Sequence, residues 1–288
     1  MERLIDVLRA RGLSGSAARD ALATGKVALA GVPTADGGRL VDPATVTLTP
    51  AAPRLSPGHD LAFVYRDAHL VVVWKPPGML SVPASREGGH KSVVGLVSRL
   101  LGAAYPVHRL DEDTSGLLVV ARTEPAQISL KALFERHAVE RRYLAIVLGR
   151  YEGERRTRTM LVRDRGDGRR GSVPRDEPVP SDAKEAITHL RLVEALGRGT
   201  SLVEARLETG RTHQVRIHLA EAGFPILGDA VYGGSGVGRL APRIALHAAV
   251  LGLEHPMTGK RLRFEAPLAD DLERLRRQLL EGELKPRA

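Results

Sequence analysis

Along this chain of 288 residues the apolar positions follow two rhythms, helical at the start and strand-like through the centre. Leu4, Ile5 and Leu8 recur at helical spacing before Gly12, and Ser14 or Ser16 is placed to cap a second helix running through Ala17, Ala21 and Leu22 to Gly25. The following KVALAGVPTADGGRLVDPATVTL alternates small apolar and turn residues, which predicts short strands joined by tight turns. Residues 1–50 therefore read as one small domain. Residues 51–60, AAPRLSPGHD, are Pro-rich and aperiodic and read as a linker, leaving residues 61–288 as a larger domain.

In that larger domain the β-branched run at 71–73 stops at Pro76 and Pro77, the pattern of a buried strand ended by a forced turn. Val93, Leu96, Val97 and Leu100 share one helical face. After Gly102 the segments LLVVAR, YLAIVLG, AITHLRLVEAL and SLVEARLETG carry β-branched or alternating apolar residues between turn signals. The basic, Gly- and Pro-rich residues 153–182 are expected as loops and short hairpins over a basic face. The fold class that results is α+β: a mixed, largely antiparallel sheet with flanking helices, preceded by a small α/β unit.

Charge narrows the partner. There are 43 Lys and Arg against 34 Asp and Glu, a formal net charge of +9, which favours a polyanion and nucleic acid first. The plainer explanation is a solvated surface, since both signs are interspersed along most of the chain. The absence of cysteine excludes disulfides, thiolate metal sites and cysteine nucleophiles. The first residues are charged and periodic, without the apolar stretch of a signal peptide, and no segment approaches the ~20 apolar residues of a membrane span. A soluble, unexported, cytoplasmic protein with no membrane contact is expected, by default a monomer.

Two clusters carry candidate chemistry. In HRLDEDTSGLLVVART, residues 108–123, Asp111 stands where a polar loop enters a strand-like run. Catalytic groups are often presented this way, but DEDTSG taken alone is more often a turn or a cap. In residues 208–234, Thr212 can cap a helix that buries Val215 and Leu219 and stops at Gly223. Arg216 lies one turn beyond Thr212, and Gln214 and His218 are four apart, a set that equally describes a solvated helix face. His213 and His218 are separated by five positions, whereas two ligands on one helix want three or four, so no metal site is expected. Hydrogen bonding to the fold or to RNA phosphate suits His213, and an ordinary structural role suits His218.

Together the two clusters bring a family into view. HRLDEDTSGLLVVAR resembles the catalytic motif of the RluA family of pseudouridine synthases, and GRTHQVRIHLAEAGFPILGDAVYG resembles its later motif. The resemblance extends in the family's order to VYRDAHLVVVWKPPGMLSVP, RRYLAIVLG and LHAAVLGLEHPMTGKRLRFEAPL, covering residues 61–270. The first fifty residues are more loosely similar to the small RNA-binding domain named after a small-subunit ribosomal protein. That module usually presents several basic residues on its second helix, and here Arg19 and Lys26 stand beside Asp20.

The resemblance implies isomerisation of uridine to pseudouridine, with no cofactor or metal, because no atom is added and no redox change occurs. By it, Asp111 matches the essential aspartate, an ionised carboxylate able to act as nucleophile. It could attack the ribose or carbon 6 of the base, or remove a ribose proton. A partly buried carboxylate needs a cation nearby to stay ionised; Arg216 is the first choice and Arg211 the competitor. Tyr143 matches the tyrosine thought to stack on the base and help remove the carbon 5 proton. The target uridine must leave its stack, at a cost of a few kcal/mol. Arg109 could fill the vacated space or hold a phosphate, His108 could brace the loop, and Arg141, Arg142 and the basic 155–170 region could contact phosphates. With Arg211, Thr212, His213, Gln214, Arg19 and Lys26 they make up the expected RNA contacts.

Large-subunit ribosomal RNA is the expected partner ahead of transfer RNA. Two rivals come from other classes. A non-catalytic RNA-binding assembly factor would not need Asp111, Tyr143 and Arg216. A glycoside hydrolase would pair Asp111 with Asp113, but the basic balance and 3% aromatic residues suit a neutral sugar poorly.

Overall fold

A computed structural model describes residues 1–23, 26–29, 32–48, 61–84, 92–174 and 176–282. The linker expected over residues 51–60 and the helix stop expected at Gly25 lie outside the described residues.

The chain opens with helices Leu4–Ala10 and Gly15–Ala23. The Ser14 hydroxyl accepts the Ala17 amide at 3.2 Å. Short strands follow: Val27–Leu29 lies between Val32–Pro33 and Val46–Leu48, and Leu40–Val41 pairs with Glu2–Arg3. Leu4, Val7, Leu8, Ala18, Leu22, Val27, Val41 and Val46 bury one another in a core of their own. This unit meets the C-terminal helix Asp270–Leu280 through polar groups. Asp270 accepts from the Thr34 hydroxyl at 2.7 Å, the Ala35 amide at 2.9 Å and the Arg39 guanidinium at 3.0 Å, and Arg277 pairs with Asp36.

The remainder is built on an eleven-stranded sheet. Its main path runs Gly171–Ser172, Glu154–Val162, Lys184–Leu196, Thr200–Leu207, Glu140–Leu148, Leu246–Glu254, Ser115–Ala121, Leu70–Lys75 and Ala62–Arg66, with Arg261–Glu265 and Tyr105–Pro106 attached beside it. Neighbours are antiparallel except Leu246–Glu254 beside Ser115–Ala121. There Gly116, at φ 117°, lies so close to Ala248 that a Cβ would collide with that backbone, so the parallel contact requires glycine.

Strands Leu70–Lys75 and Ser115–Ala121 are buried on both faces, which is why their apolar runs are continuous. Leu70, Val72, Leu117 and Val119 pack toward Ala126, Leu130 and Leu133 of helix Glu124–Glu135. Val71, Val73, Leu118 and Val120 pack toward Val93, Leu96 and Val97 of helix Val93–Leu101. Leu100, expected on that buried face, is 54% exposed, while its neighbour Leu101 packs partly buried against this core.

The second correction falls in residues 153–182. Glu154–Val162 is a nine-residue strand paired with Lys184–Leu196 over eight positions. Its face is solvated, so apolar alternation is missing, and its arginines are matched across strands: Arg158 with Glu185, and Arg156 with Glu208.

Candidate active site

Asp111 lies in the loop between strands Tyr105–Pro106 and Ser115–Ala121. Side chains from elsewhere grip this loop at the peptides of Leu110, Glu112 and Asp113. The Ser81 hydroxyl donates to Leu110 O at 2.8 Å and accepts from Leu110 N at 2.9 Å. Lys75, fully buried, donates to the carbonyls of Pro76 at 3.0 Å, Met79 at 2.6 Å and Glu112 at 2.6 Å. Arg243 donates to Asp113 O at 3.1 Å while held by both oxygens of Asp271 at 2.6 and 2.8 Å. Thr114 N closes the turn on Asp111 O at 3.1 Å. The DEDTSG turn is real, but its backbone is positioned by side chains from distant parts of the chain. Burial pushes the Lys75 amine down to about 7 against the pull of Asp113, although its three carbonyl acceptors use every proton of the charged form.

Helix Gln214–Glu221 faces this loop. Thr212, expected as its cap, does not serve: the N-cap position is His213, left-handed at φ 60°, with no side-chain cap bond. Nor is the helix solvated, since Gln214, Arg216 and His218 are all buried. Arg216 Nη1 donates to Asp111 Oδ2 at 3.3 Å, while its Nε and Nη2 donate to the two oxygens of Asp229 at 2.7 and 3.0 Å. Asp229 also accepts the amides of Val231 and Tyr232, which spreads its charge. Gly228 beside it, at φ 82°, approaches Arg243 O too closely to carry a Cβ. Asp111, Arg216 and Asp229 thus form a carboxylate–guanidinium–carboxylate row, with Arg216 5% exposed and Asp111 19%. Arg211, the competing arginine, donates instead to Glu185 O at 2.9 Å.

Tyr143 enters from strand Glu140–Leu148 at a bulge, where pairing with Leu246–Glu254 slips between Arg142 and Tyr143. A bulge re-aims side chains, and here Tyr143 lines the cleft with Asp111. Burial pushes its hydroxyl up to about 12, so it stays protonated at neutral pH. The neighbour Arg142 turns to Glu140 and Glu204 and does not line the cleft.

The cleft itself measures about 440 Å³ and holds Arg109, Arg141, Arg211 and Arg216 against Asp111 and Glu135, a positive basin around one carboxylate. His108 accepts the Val119 amide at 3.1 Å and stacks on Phe134 at 4.5 Å. Burial and Arg141 push it down to about 3, which leaves it the neutral acceptor that bond requires. Arg141 is buried, donates to Glu208 O at 2.9 Å and lies over Phe134. Arg109 is exposed at the cleft. Gln214 was expected at RNA, but its amide bonds Thr209, Arg211 N, Ile187 O and Thr188, so all four hydrogen-bonding positions serve the fold. His218 is structural, bonded to Thr188 and Thr159, and burial pushes it down to about 4. Arg19 and Lys26 lie in the N-terminal unit and do not line this cleft. Asp229, Tyr232, Lys75 and Arg243 were not foreseen. Asp229 and Tyr232 stand in the quoted GDAVYG, and Lys75 opens KPPG, but nothing in their spacing says what they touch.

The row of Asp111, Arg216 and Asp229 falls within or just beyond residues 69–221, which match the model of the RNA pseudouridylate synthase family. The chain belongs to the RluA family of RNA pseudouridine synthases. It is 41% identical to ribosomal large subunit pseudouridine synthase D of Zymomonas mobilis, over 76% of this chain and 73% of the relative. It is 36% identical to the dual-specificity RNA pseudouridine synthase RluA of Haemophilus ducreyi, over 70% of this chain and 90% of the relative. Among solved structures, human RNA pseudouridylate synthase domain containing 1 superposes with a TM-score of 0.61 at 26% identity, covering 74% of this chain and 86% of that one. The fold class is that of the synthases, and the enzyme is an RNA pseudouridine synthase. Among the described residues, no helix is long and apolar enough to cross a membrane.

Proposed function

We propose that this synthase isomerises specific uridines of large-subunit ribosomal RNA, with Asp111 as the nucleophile acting on a uridine flipped out of its stack. The observation that carries this reading is the Asp111–Arg216 contact of 3.3 Å inside a cationic cleft. Arg216 keeps Asp111 beside a positive charge, and Asp229 keeps Arg216 from turning away. Tyr143 offers a ring to the flipped base and, as a neutral phenol, takes up the carbon 5 proton only while passing on its own. Arg109, Arg141 and Arg211, with Thr212 and His213 beside them, hold the nucleotide and its phosphates, giving salt-sensitive binding. His108 braces the loop from below. Arg142 contributes through the outer charged surface and not inside the cleft.

The ribosomal target is supported by the name of the Zymomonas mobilis relative. The name of the Haemophilus ducreyi relative favours a second reading, action on more than one RNA, for which transfer RNA is the candidate. Residues 1–50 act as an RNA-binding domain carrying Arg19 and Lys26, residues 51–60 as a linker and residues 61–288 as the catalytic domain, in a cytoplasmic monomer.

The test incubates wild type and Asp111→Asn with RNA carrying tritium at carbon 5 of uridine and counts tritium released to water. Release by wild type alone, from ribosomal and not transfer RNA, is the expected result. Release by the variant would remove Asp111 from the chemistry. Tight RNA binding with no release from either protein would favour a non-catalytic assembly role.

A further inference from the structure

His213 occupies the turn that leads into helix Gln214–Glu221. Its left-handed backbone at φ 60° is one that a residue with a Cβ adopts only under constraint, and it places the imidazole between two functional groups. Nδ1 lies 2.8 Å from the Tyr232 hydroxyl, with the rings edge to face at 5.7 Å. Nε2 lies 3.8 Å from Asp111 Oδ1, beyond hydrogen-bond range. The Tyr232 ring also carries the Arg216 guanidinium at 5.0 Å, so its position is set by the same row that holds Asp111.

The groups facing His213 are Asp111 from the catalytic loop, Arg216 from the helix, Arg170 from the basic hairpin, and Asp229 with Tyr232 from the following turn. Burial, with Arg216 and Arg170, outweighs the two carboxylates and lowers the pKa of the ring; the imidazole is therefore neutral at neutral pH. A neutral ring has one donor and one acceptor. Burial raises the Tyr232 pKa, so its hydroxyl keeps a proton to donate. The opposite arrangement, with Nδ1 as donor, would aim the Nε2 lone pair at the Asp111 carboxylate. The favoured tautomer therefore carries its hydrogen on Nε2, pointing to the cleft with no acceptor in range among the described residues.

We propose that His213 is a catalytic residue, the Nε2–H tautomer fixed by Tyr232, which donates a hydrogen bond to O2 of the target uracil. This rests on the function proposed above. When the bond from ribose to N1 breaks, the departing uracil carries negative charge shared between N1 and the carbonyl oxygens. O2 belongs to the carbonyl bonded directly to N1, so the charge left on N1 by the breaking bond is shared with it at once. A donor already aimed there stabilises charge only as it develops, which acts on kcat more than on KM. Tyr232 is a positioning residue, acting through the ring it orients.

The test has two parts. Nitrogen-15 spectra of the wild-type histidines should show His213 as a neutral Nε2–H ring near pH 7, and Tyr232→Phe should shift its Nδ1 signal. A charged ring, or the other tautomer, overturns the proposal without any activity measurement. Tritium release is then followed with uridine or 2-thiouridine at the target, since sulfur is a weak acceptor. His213→Ala should lower kcat about tenfold on uridine, with KM nearly unchanged, and His213→Gln, which keeps a donor near Nε2, should recover most of it. The His213→Ala loss should shrink on the 2-thio substrate. Losses that multiply on the double change overturn the contact with O2, and unchanged kcat in His213→Ala overturns the catalytic role while the synthase reading stands. No release by wild type from any RNA overturns that reading itself.

Discussion

Arg216 and Arg158 carry the same guanidinium on two faces of one protein, and their surroundings give it opposite weight. Arg158 stands on the outer strand Glu154–Val162, 64% exposed, beside Glu185. Its charge is solvated whether or not the pair forms. Arg216 is 5% exposed and divided between two carboxylates, so every contact it loses exposes an uncompensated charge to a poorly solvating interior. The cost of desolvation is sunk only when all three partners are present. A basic sequence thus holds two kinds of cation, one that attracts RNA at long range and one that organises a carboxylate.

The comparison is broken most severely at Asp229. Asp229→Asn keeps the shape but leaves Arg216 with Asp111 as its one charged partner. A stability loss of about 3 kcal/mol is expected in urea titration, with a fall in tritium release of about a hundredfold or more. Next comes Lys75→Met, which removes a buried cation whose partners are carbonyls. Three carbonyls each lose a donor at about 1 kcal/mol, and Glu112 O of the catalytic loop is left to the Gly78 amide at 3.0 Å. Urea titration should show about 3 kcal/mol, with activity falling beyond what the remaining folded fraction explains.

Asp67 tests the intermediate case, an acid 26% exposed within a network. Burial acts to raise its pKa, but the Leu70 amide, the Tyr65 hydroxyl, the His69 amide and His255 together hold it down to about 2. A depressed acid stabilises the fold above its ordinary pKa, near 3.8, and loses that contribution as pH falls toward 2. About 2 kcal/mol should therefore disappear across this window, read as a steeper acid limb in wild type than in Asp67→Asn. The smallest effect belongs to Arg158→Ala, expected to change stability by about 0.5 kcal/mol or less and to leave kcat unchanged. A large loss there would erase the distinction between the two cations.

Legibility followed burial. The strands Leu70–Lys75 and Ser115–Ala121 were readable because both faces are covered and their central positions form continuous apolar runs. Strand Glu154–Val162 was not, because its solvated face tolerates arginine and threonine, and its backbone pairing with Lys184–Leu196 leaves no mark in its own residues. Leu100 fitted the helical rhythm, yet at the end of the helix it is Leu101 that meets the core. Thr212 had the chemistry of a cap, but the left-handed turn at His213 put a different residue at the helix start. Gln214 was expected at RNA and His218 in a structural role, but only the fold supplies the buried partners of both, Thr188 for the pair and Thr159 for His218.

The sequence by itself determined the buried strands, the α+β class, the cationic balance and the two motifs that carry Asp111 and Arg216, because these depend on local periodicity and on residue types close together in the chain. Tertiary structure decided which arginine reaches Asp111 across 105 positions, that Asp229 shares it, and that Lys75 and Arg243 grip the loop at its adjacent carbonyls of Glu112 and Asp113. It also decided that Tyr143 turns inward while Arg142 turns out. Those choices are made by burial and by the need of each buried charge for a partner, and both exist only once distant strands have been brought together.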